Sequence, residues 1–278
     1  MPELPEVEHV VRALRPIVTG RRILAAELNL KRIAPELSRA AFGRQLRNAV
    51  ITGVGRRGKY ILFELESGRL LTTHLRMTGK FVSLTTEESL PPYAHVVFYL
   101  DDERRLVFCD MRQFGRMRLV TNAQRLPKEL STLAPEPLSE EFTEEYFLET
   151  LSRSRRSLKQ LLLDQTRVLG LGNIYAVEAL FLAGVNPMKP ANRLSKPRAR
   201  KLYQAIRQVL SEAIDAGSTG STLQIDIADG NGSYFGTTER FWRVYEREGE
   251  PCVKCGSRIK RIVHGGRSTY YCPRCQRN

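Results

Sequence analysis

Four of the five cysteines lie in the last 27 residues, as Cys252, Cys255, Cys272 and Cys275. Two CxxC pairs separated by sixteen residues suit four thiolates arranged tetrahedrally around zinc. Disulfides and redox thiols are the alternatives, and in a cytosolic chain doubled CxxC favours metal. Four cysteines close the shell, so the zinc is structural, and His264 has a ligand's chemistry without a vacant position to fill. The other end, "MPELPEVEHV", poses different chemistry. Trimming of Met1 before the small Pro2 exposes an imino nitrogen. A terminal amine titrates near pH 7.7–8.0 against about 10.4 for lysine, so more of it is unprotonated at neutral pH. Such an amine is a nucleophile of the Schiff-base type. Glu3 is adjacent for proton transfer. Pro5, Glu8 and in part Glu6 read as helix-start residues, a role that leaves Pro2 and Glu3, which precede the helix, unexplained.

These groups need elements to hold them. Val7, Val10, Val11, Leu14 and Val18 recur at helical spacing, with Arg12 and Arg15 on the other face, which predicts an amphipathic helix from Pro5. Residues 22–120 read as strands. "KYILFEL" and "LLTTHL" flank "ESGR", and "HVVFYL" and "RLVFCD" flank "DDER", two hairpin signals. Cys109 within the latter is a small buried hydrophobe. The proline-rich "LAPEPLS" marks a joint, after which the periodicity turns helical through "EEFTEEYFLETLS", "RRSLKQLLLD", "NIYAVEALFLAG" and "KPRARKLYQAIRQVLSEAIDAG". A Gly/Ser/Asp/Asn-rich stretch over 217–236 predicts a long loop. "GSRIKRIVHGGRSTYY" between the cysteine pairs predicts a β-hairpin turning at Gly265-Gly266. The resulting division is a β-rich 1–132, a linker 133–139, a helical 140–236 and a cysteine-bound 237–278.

The chain carries 44 Lys and Arg against 30 Asp and Glu, a net charge of +14. Polyanions are the usual partners of such an excess, although a solvated basic surface is the bland alternative. Between Pro251 and Asn278 there are seven basic and no acidic residues, so a metal-pinned hairpin with Arg267 at its tip suits phosphates. No apolar run approaches the roughly 20 residues of a membrane span, and the amino terminus lacks the pattern of a signal peptide. A cytoplasmic protein with no membrane partner is the expectation.

"MPELPEVE", "RRGKY", "HLRMTGK", "DMRQFG", "LAPEPLS", "GLGNIYAVEALF" and the cysteine hairpin, in this order along the whole chain, resemble bacterial formamidopyrimidine-DNA glycosylase. The resemblance implies a multidomain α+β fold: an N-terminal β-sandwich with a leading helix, a central helix–two-turn–helix domain and a C-terminal zinc-finger β-hairpin. It implies a base-excision enzyme that removes 8-oxoguanine and formamidopyrimidines from duplex DNA, opposite cytosine, and then cuts the strand by β,δ-elimination. A bacterial source, use at the nucleoid and a monomeric state follow only from this resemblance. Pro2 would be the nucleophile on the sugar, Glu3 the general acid, and Glu6 its support. Lys59 would assist β-elimination, although alone it reads as a solvated strand lysine. Arg267 would grip phosphates and serve δ-elimination. A flipped base leaves a void. Met77, Arg112 and Phe114 match the trio that fills it, Phe114 as a wedge and Arg112 on the orphaned cytosine. Core packing is the alternative for Met77 and Phe114, but nearby Gly79 and Gly115 favour loop tips. Asn173, where a glycine-rich turn enters a helix, would anchor phosphate. His74 and Lys159 are further phosphate candidates, and Tyr93 and His95 fall in the DNA-binding region.

The chain departs from the family at Glu246, where glycine is usual, at His9, at Ser154 where some relatives carry lysine, and in "STLQIDIADGNGSYF", the loop over the flipped base. Two competing readings stand beside this one. An endonuclease VIII-like enzyme for oxidised pyrimidines has glycine where Leu4 stands and lacks the full trio. A non-catalytic zinc DNA-binding protein would need none of Pro2, Glu3 and Lys59.

Overall fold

A computed structural model of the chain describes residues 1–66, 68–121, 127–218 and 242–277. The described residues fall into two compact units. The first is essentially Met1–Ser131, and the second joins Thr132–Ala216 to the C-terminal segment.

The first unit opens with helix α1, Leu4–Val18, whose N-cap is Glu3 and whose Pro5 sits in the first turn. Val7, Val11, Leu14 and Val18 are at most 1 % exposed and join the main core. Each such side chain contributes about 1.5–3 kcal/mol on burial. Eight strands follow: β1 Ile23–Leu28, β2 Ile51–Arg57, β3 Tyr60–Leu65, β4 Arg69–His74, β5 Gly79–Thr85, β6 Ala94–Leu100, β7 Arg104–Asp110 and β8 Arg116–Val120. They form two antiparallel sheets, β2-β3-β4-β8 and β1-β6-β7-β5. Phe63 of one sheet meets Phe81 of the other edge-on at 5.4 Å, so the sheets pack as a sandwich. Both expected hairpins are present as β3–β4 and β6–β7, and Cys109 is buried, its thiol pushed up to about 11 by that burial.

One stretch expected as strand is helical. Arg39–Leu46 forms α2, capped by Ser38, whose hydroxyl accepts from Ala41 N–H at 3.1 Å. Phe42 and Leu46 both point inward while Arg44, midway between them, is exposed; a strand would turn all three to one face, whereas a helix does not. Glu8 also departs from expectation, since it lies beyond the first turn of α1 and bonds Arg12 and Arg56 at 3.0 and 3.1 Å. Burial alone would raise its pKa, but these two guanidinium partners outweigh it and hold the carboxyl below the usual range. A short helix, α3 Lys128–Ser131, closes the unit.

The second unit is helical: α4 Glu144–Ser152, α5 Leu158–Leu162, α6 Asn173–Leu182 and α7 Lys196–Ser218. Thr143 and Ser157 cap α4 and α5 through their hydroxyls. Arg207 of α7 donates to the carbonyls of Pro137 and Ser139, which ties down the proline-rich joint. The loop expected over 217–236 begins inside α7 and from residue 219 lies outside the described residues. The C-terminal hairpin, β9 Lys260–His264 and β10 Arg267–Tyr271, turns on Gly265 and Gly266 with φ of 59° and 72°. Two consecutive positive φ values make the tight turn whose twist suits paired strands.

Candidate functional site

In the first unit, α1 packs on β2 and β3, and the candidate residues sit at the head of that helix and in the β2–β3 turn. Pro2 is buried, and Glu3 and Glu6 are 2 % and 1 % exposed. The Glu6 carboxylate accepts from Glu3 N–H at 2.8 Å, which fixes the entry of the chain into the helix. Lys59 occupies the two-residue turn with Gly58 (φ 56°) between β2 and β3, packed against α1 through the Glu8–Arg56 pair. It is only 6 % exposed, so it is not a solvated strand lysine. Buried carboxylates and ammonium groups are expensive to desolvate, so their concentration here marks a built site.

His74 ends β4, 8 % exposed, with its ring edge against Tyr60 at 4.8 Å. Its Nδ1 accepts from Arg76 N–H at 3.0 Å, so the neutral ring carries its proton on Nε2. Burial, then the charges of Arg76 and Lys59, lower its pKa to about 3. The ring is therefore a neutral donor at working pH, suited to a phosphate oxygen.

Met77 and Phe114 are each 39 % exposed on loops, not in the core, and Arg112 is exposed beside them. The Arg112 guanidinium lies 4.9 Å from the Phe114 ring centroid, a cation–π stack. Three residues next to this group, Arg76, Tyr93 and Gln113, have φ of 58°, 62° and 58°. Left-handed backbone at non-glycine residues costs about 1–3 kcal/mol each and gathers at functional loops. Tyr93 is 52 % exposed, whereas His95 is 8 % exposed and spends its Nε2 on the Asp110 carbonyl at 2.9 Å.

In the second unit, α5 and α6 form the seat of the hairpin. Lys159 of α5 is fully buried, and its ammonium donates to Ser268 O and Thr269 Oγ1 at 2.9 and 2.6 Å. This puts Lys159 beneath β10 instead of on a phosphate-facing surface. Asn173 begins α6 and also donates to Ser268 O, at 3.0 Å, while its Oδ1 is buried without a partner. Ser157 Oγ lies 2.6 Å from His264 Nε2, so His264 serves the helices and not the metal. Arg267 remains exposed at the hairpin tip.

Two further positions escape inspection of the sequence. Glu178, 1 % exposed in the middle of α6, accepts backbone N–H groups from Arg243, Val244 and Tyr245 at 2.9–3.0 Å. It anchors the segment that leads into the hairpin. The available signal is a single acid in the otherwise apolar run "AVEALF", which has to be satisfied once buried. Ser157 reads as a helix cap and gives no sign of its second bond to His264.

The four cysteine sulfurs lie within 4.8 Å of one another, with Cys252–Cys275 at 3.9 Å and Cys255–Cys272 at 3.5 Å. Sulfurs held at ~2.3 Å from a tetrahedral zinc are separated by roughly 3.8 Å, so the donor set fits one structural zinc ion. Lys254 N–H and Cys275 N–H point at the sulfurs of Cys252 and Cys272, both at 3.4 Å, which helps to hold thiolate charge. Cys252 and Cys272 share a small core with Val177, Phe181, Val244 and Ile259, so the hairpin rests directly on α6.

A cysteine-closed hairpin seated on a two-turn helical module, in a chain of charge +14, defines a DNA-binding zinc protein, and the sandwich adds buried ionisable groups of an enzyme. Comparison with known proteins narrows this class. Residues 1–117 match the formamidopyrimidine-DNA glycosylase N-terminal domain, 133–225 its H2TH domain, and 249–278 the zinc finger found in FPG and IleRS. The formamidopyrimidine-DNA glycosylase of Pelotomaculum thermopropionicum is 45 % identical over 280 residues, spanning 100 % of this chain and 99 % of the relative. A MutM protein bound to DNA containing carbocyclic 8-oxo-G superposes with a TM-score of 0.88 at 36 % identity, covering 100 % of both chains. The Lactococcus lactis enzyme bound to Fapy-dG DNA gives 0.87 at 34 % identity, over 99 % of this chain and 100 % of that one. The chain belongs to the formamidopyrimidine-DNA glycosylase family.

Proposed function

We propose that the protein excises oxidised purines, 8-oxoguanine and formamidopyrimidines, from duplex DNA opposite cytosine and then nicks the strand at the abasic site. After loss of Met1, the Pro2 nitrogen attacks the anomeric carbon of the damaged nucleotide. The glycosidic bond breaks, and the base departs with a proton from Glu3, which Glu6 helps to orient. The adduct's C1′–O4′ bond then breaks, the proton lost by the Pro2 nitrogen going to O4′, and the resulting iminium makes the neighbouring sugar hydrogen acidic. Lys59 assists its removal in β-elimination, and Arg267 serves the subsequent δ-elimination. Proton transfer of this kind is worth about 10²–10⁴-fold.

Met77, Arg112 and Phe114 fill the void left by the flipped nucleotide, with Arg112 bonding the unpaired cytosine. His74 through its Nε2–H and Asn173 at the head of α6 hold backbone phosphates. Tyr93, exposed on its loop, lies along the duplex. Lys159 supports the hairpin from beneath β10, and His95 supports the Asp110 loop from inside, as their buried hydrogen bonds indicate. The working division is a catalytic module over 1–132, a linker 133–139, a helical module 140–236 and the finger 237–278. No helix among the described residues is long and apolar enough to cross a membrane. The site of action is the bacterial cytoplasm, at the nucleoid.

The observation that carries this reading is the burial of both Glu3, at the head of α1, and Lys59, in the β2–β3 turn, at 2 % and 6 % exposure. A protein that only binds DNA has no use for desolvated acid and base groups there. Borohydride reduction in the presence of 8-oxoguanine:cytosine duplex tests it. The expected product is a covalent complex whose sugar fragment maps to Pro2 by mass spectrometry. Binding without trapping overturns the catalytic reading, and faster cleavage of oxidised pyrimidine duplexes overturns the substrate assignment.

A further inference from the structure

We infer that Asp110 is the positioning residue that sets Met77, Arg112 and Phe114 as one body, and thereby sets discrimination by the base opposite the lesion. The inference rests on the void-filling role proposed above for those three side chains.

Asp110 is fully buried at the end of β7, and every polar atom it has is used to join loops of the first unit. One carboxylate oxygen accepts from the Thr78 hydroxyl, which follows Met77, and from Arg112 N–H at 3.2 Å. The Thr78 oxygen in turn accepts from the same Arg112 N–H at 3.0 Å. The other carboxylate oxygen accepts from Gly115 N–H at 2.7 Å, immediately after Phe114. The backbone N–H of Asp110 donates to Tyr93 O at 3.2 Å, and its carbonyl meets His95 Nε2 and Gln113 N–H.

The same two loops share an apolar floor. A Cβ at Gly79 would lie 2.8 Å from the Phe108 ring and 2.5 Å from Leu75 O, and one at Gly115 would lie 2.6 Å from that ring. The glycines therefore let both loops close onto Phe108 while Asp110 stitches them from the polar side. Such an arrangement moves as a unit, because shifting the Arg112 loop breaks its bonds to Thr78 and Asp110 together.

Asparagine at this position keeps the shape but offers one acceptor oxygen and an amide that faces the N–H donors. The test is the ratio of kcat/KM for 8-oxoguanine excision opposite cytosine and opposite adenine. Asp110→Asn should lower that ratio about tenfold, while borohydride trapping on a single-stranded abasic oligonucleotide, which has no void to fill, stays within about twofold. Thr78→Val, a milder change, should give an intermediate ratio, and Thr78→Ser should restore it. An unchanged ratio in Asp110→Asn and Thr78→Val, or a parallel loss on the single-stranded substrate, overturns the inference. Arg112→Ala separates the two levels of the argument. If it lowers the ratio and Asp110→Asn does not, the positioning role fails alone. If it leaves the ratio unchanged, the reading of Arg112 fails and this inference with it.

Discussion

The Lys159 ammonium lies 2.6 Å from the Thr269 hydroxyl, under the strand that carries Arg267 to the hairpin tip. Burial, and then the charge of Arg267, lower the Lys159 pKa to about 8. The unfolded chain holds its proton up to about 10.4. Between those values the unfolded state binds the extra proton, so unfolding becomes harder as pH rises. Below about pH 8 the desolvation penalty of the charged form is fully present. Urea unfolding at several pH values from 7 to 10 should therefore show wild type gaining stability relative to Lys159→Met as pH increases. Parallel pH dependences in the two proteins would show that Lys159 keeps an ordinary pKa.

His74 makes a prediction of the same sign at the acid end. Its folded pKa is near 3, against roughly 6.5 when unfolded. Its contribution to stability is thus complete above about pH 6.5 and lost as pH falls toward 3. Long-range proton–nitrogen NMR should find an unprotonated Nδ1 and a protonated Nε2, unchanged from pH 7.5 to 5. A titration midpoint near 6.5 would exclude the neutral phosphate donor.

Much of the architecture is legible in the sequence because it is local. The β3–β4 and β6–β7 hairpins, α1, the helices after the joint and the Gly265-Gly266 turn all follow from spacing and turn residues. The pairings of β1 with β6 and β4 with β8 do not, because strands distant in the chain leave no local mark. α2 is missed because its eight residues carry only two buried apolar positions. Motifs point to Lys59 and Arg112, but not to the burial of Lys59 or the hydrogen-bonded setting of Arg112. Asp110, Glu178 and Lys159 look like surface charges until tertiary structure surrounds them with donors and acceptors.

Removal of metal tests the finger. Cys252 and Cys272 belong to the small core that seats the hairpin on Val177 and Phe181. Structural zinc supplies about 10–16 kcal/mol in comparable small domains, far more than so few apolar contacts provide. Metal analysis should find one zinc per chain. Chelation or Cys272→Ser should make 252–275 protease-sensitive and weaken duplex binding by about tenfold or more, while the sandwich keeps its circular dichroism. Retention of full duplex affinity after complete chelation would show that the hairpin does not contribute to the interface.

Glu246 offers a prediction about stability alone. Its φ of 58° is left-handed, at a position where the family usually has glycine, and its side chain is exposed. A Cβ in that conformation costs roughly 1–2 kcal/mol. Glycine removes this strain but gives the unfolded chain extra freedom, which offsets roughly 0.5–1 kcal/mol. The balance favours the substitution, so Glu246→Gly should raise Tm by about 1–3 °C. Glu246→Ala supplies the control, because it deletes the charge and keeps the Cβ. Differential scanning calorimetry should show a gain in the glycine variant and none in the alanine one. An equal rise in both would trace the effect to the carboxylate and not to the backbone.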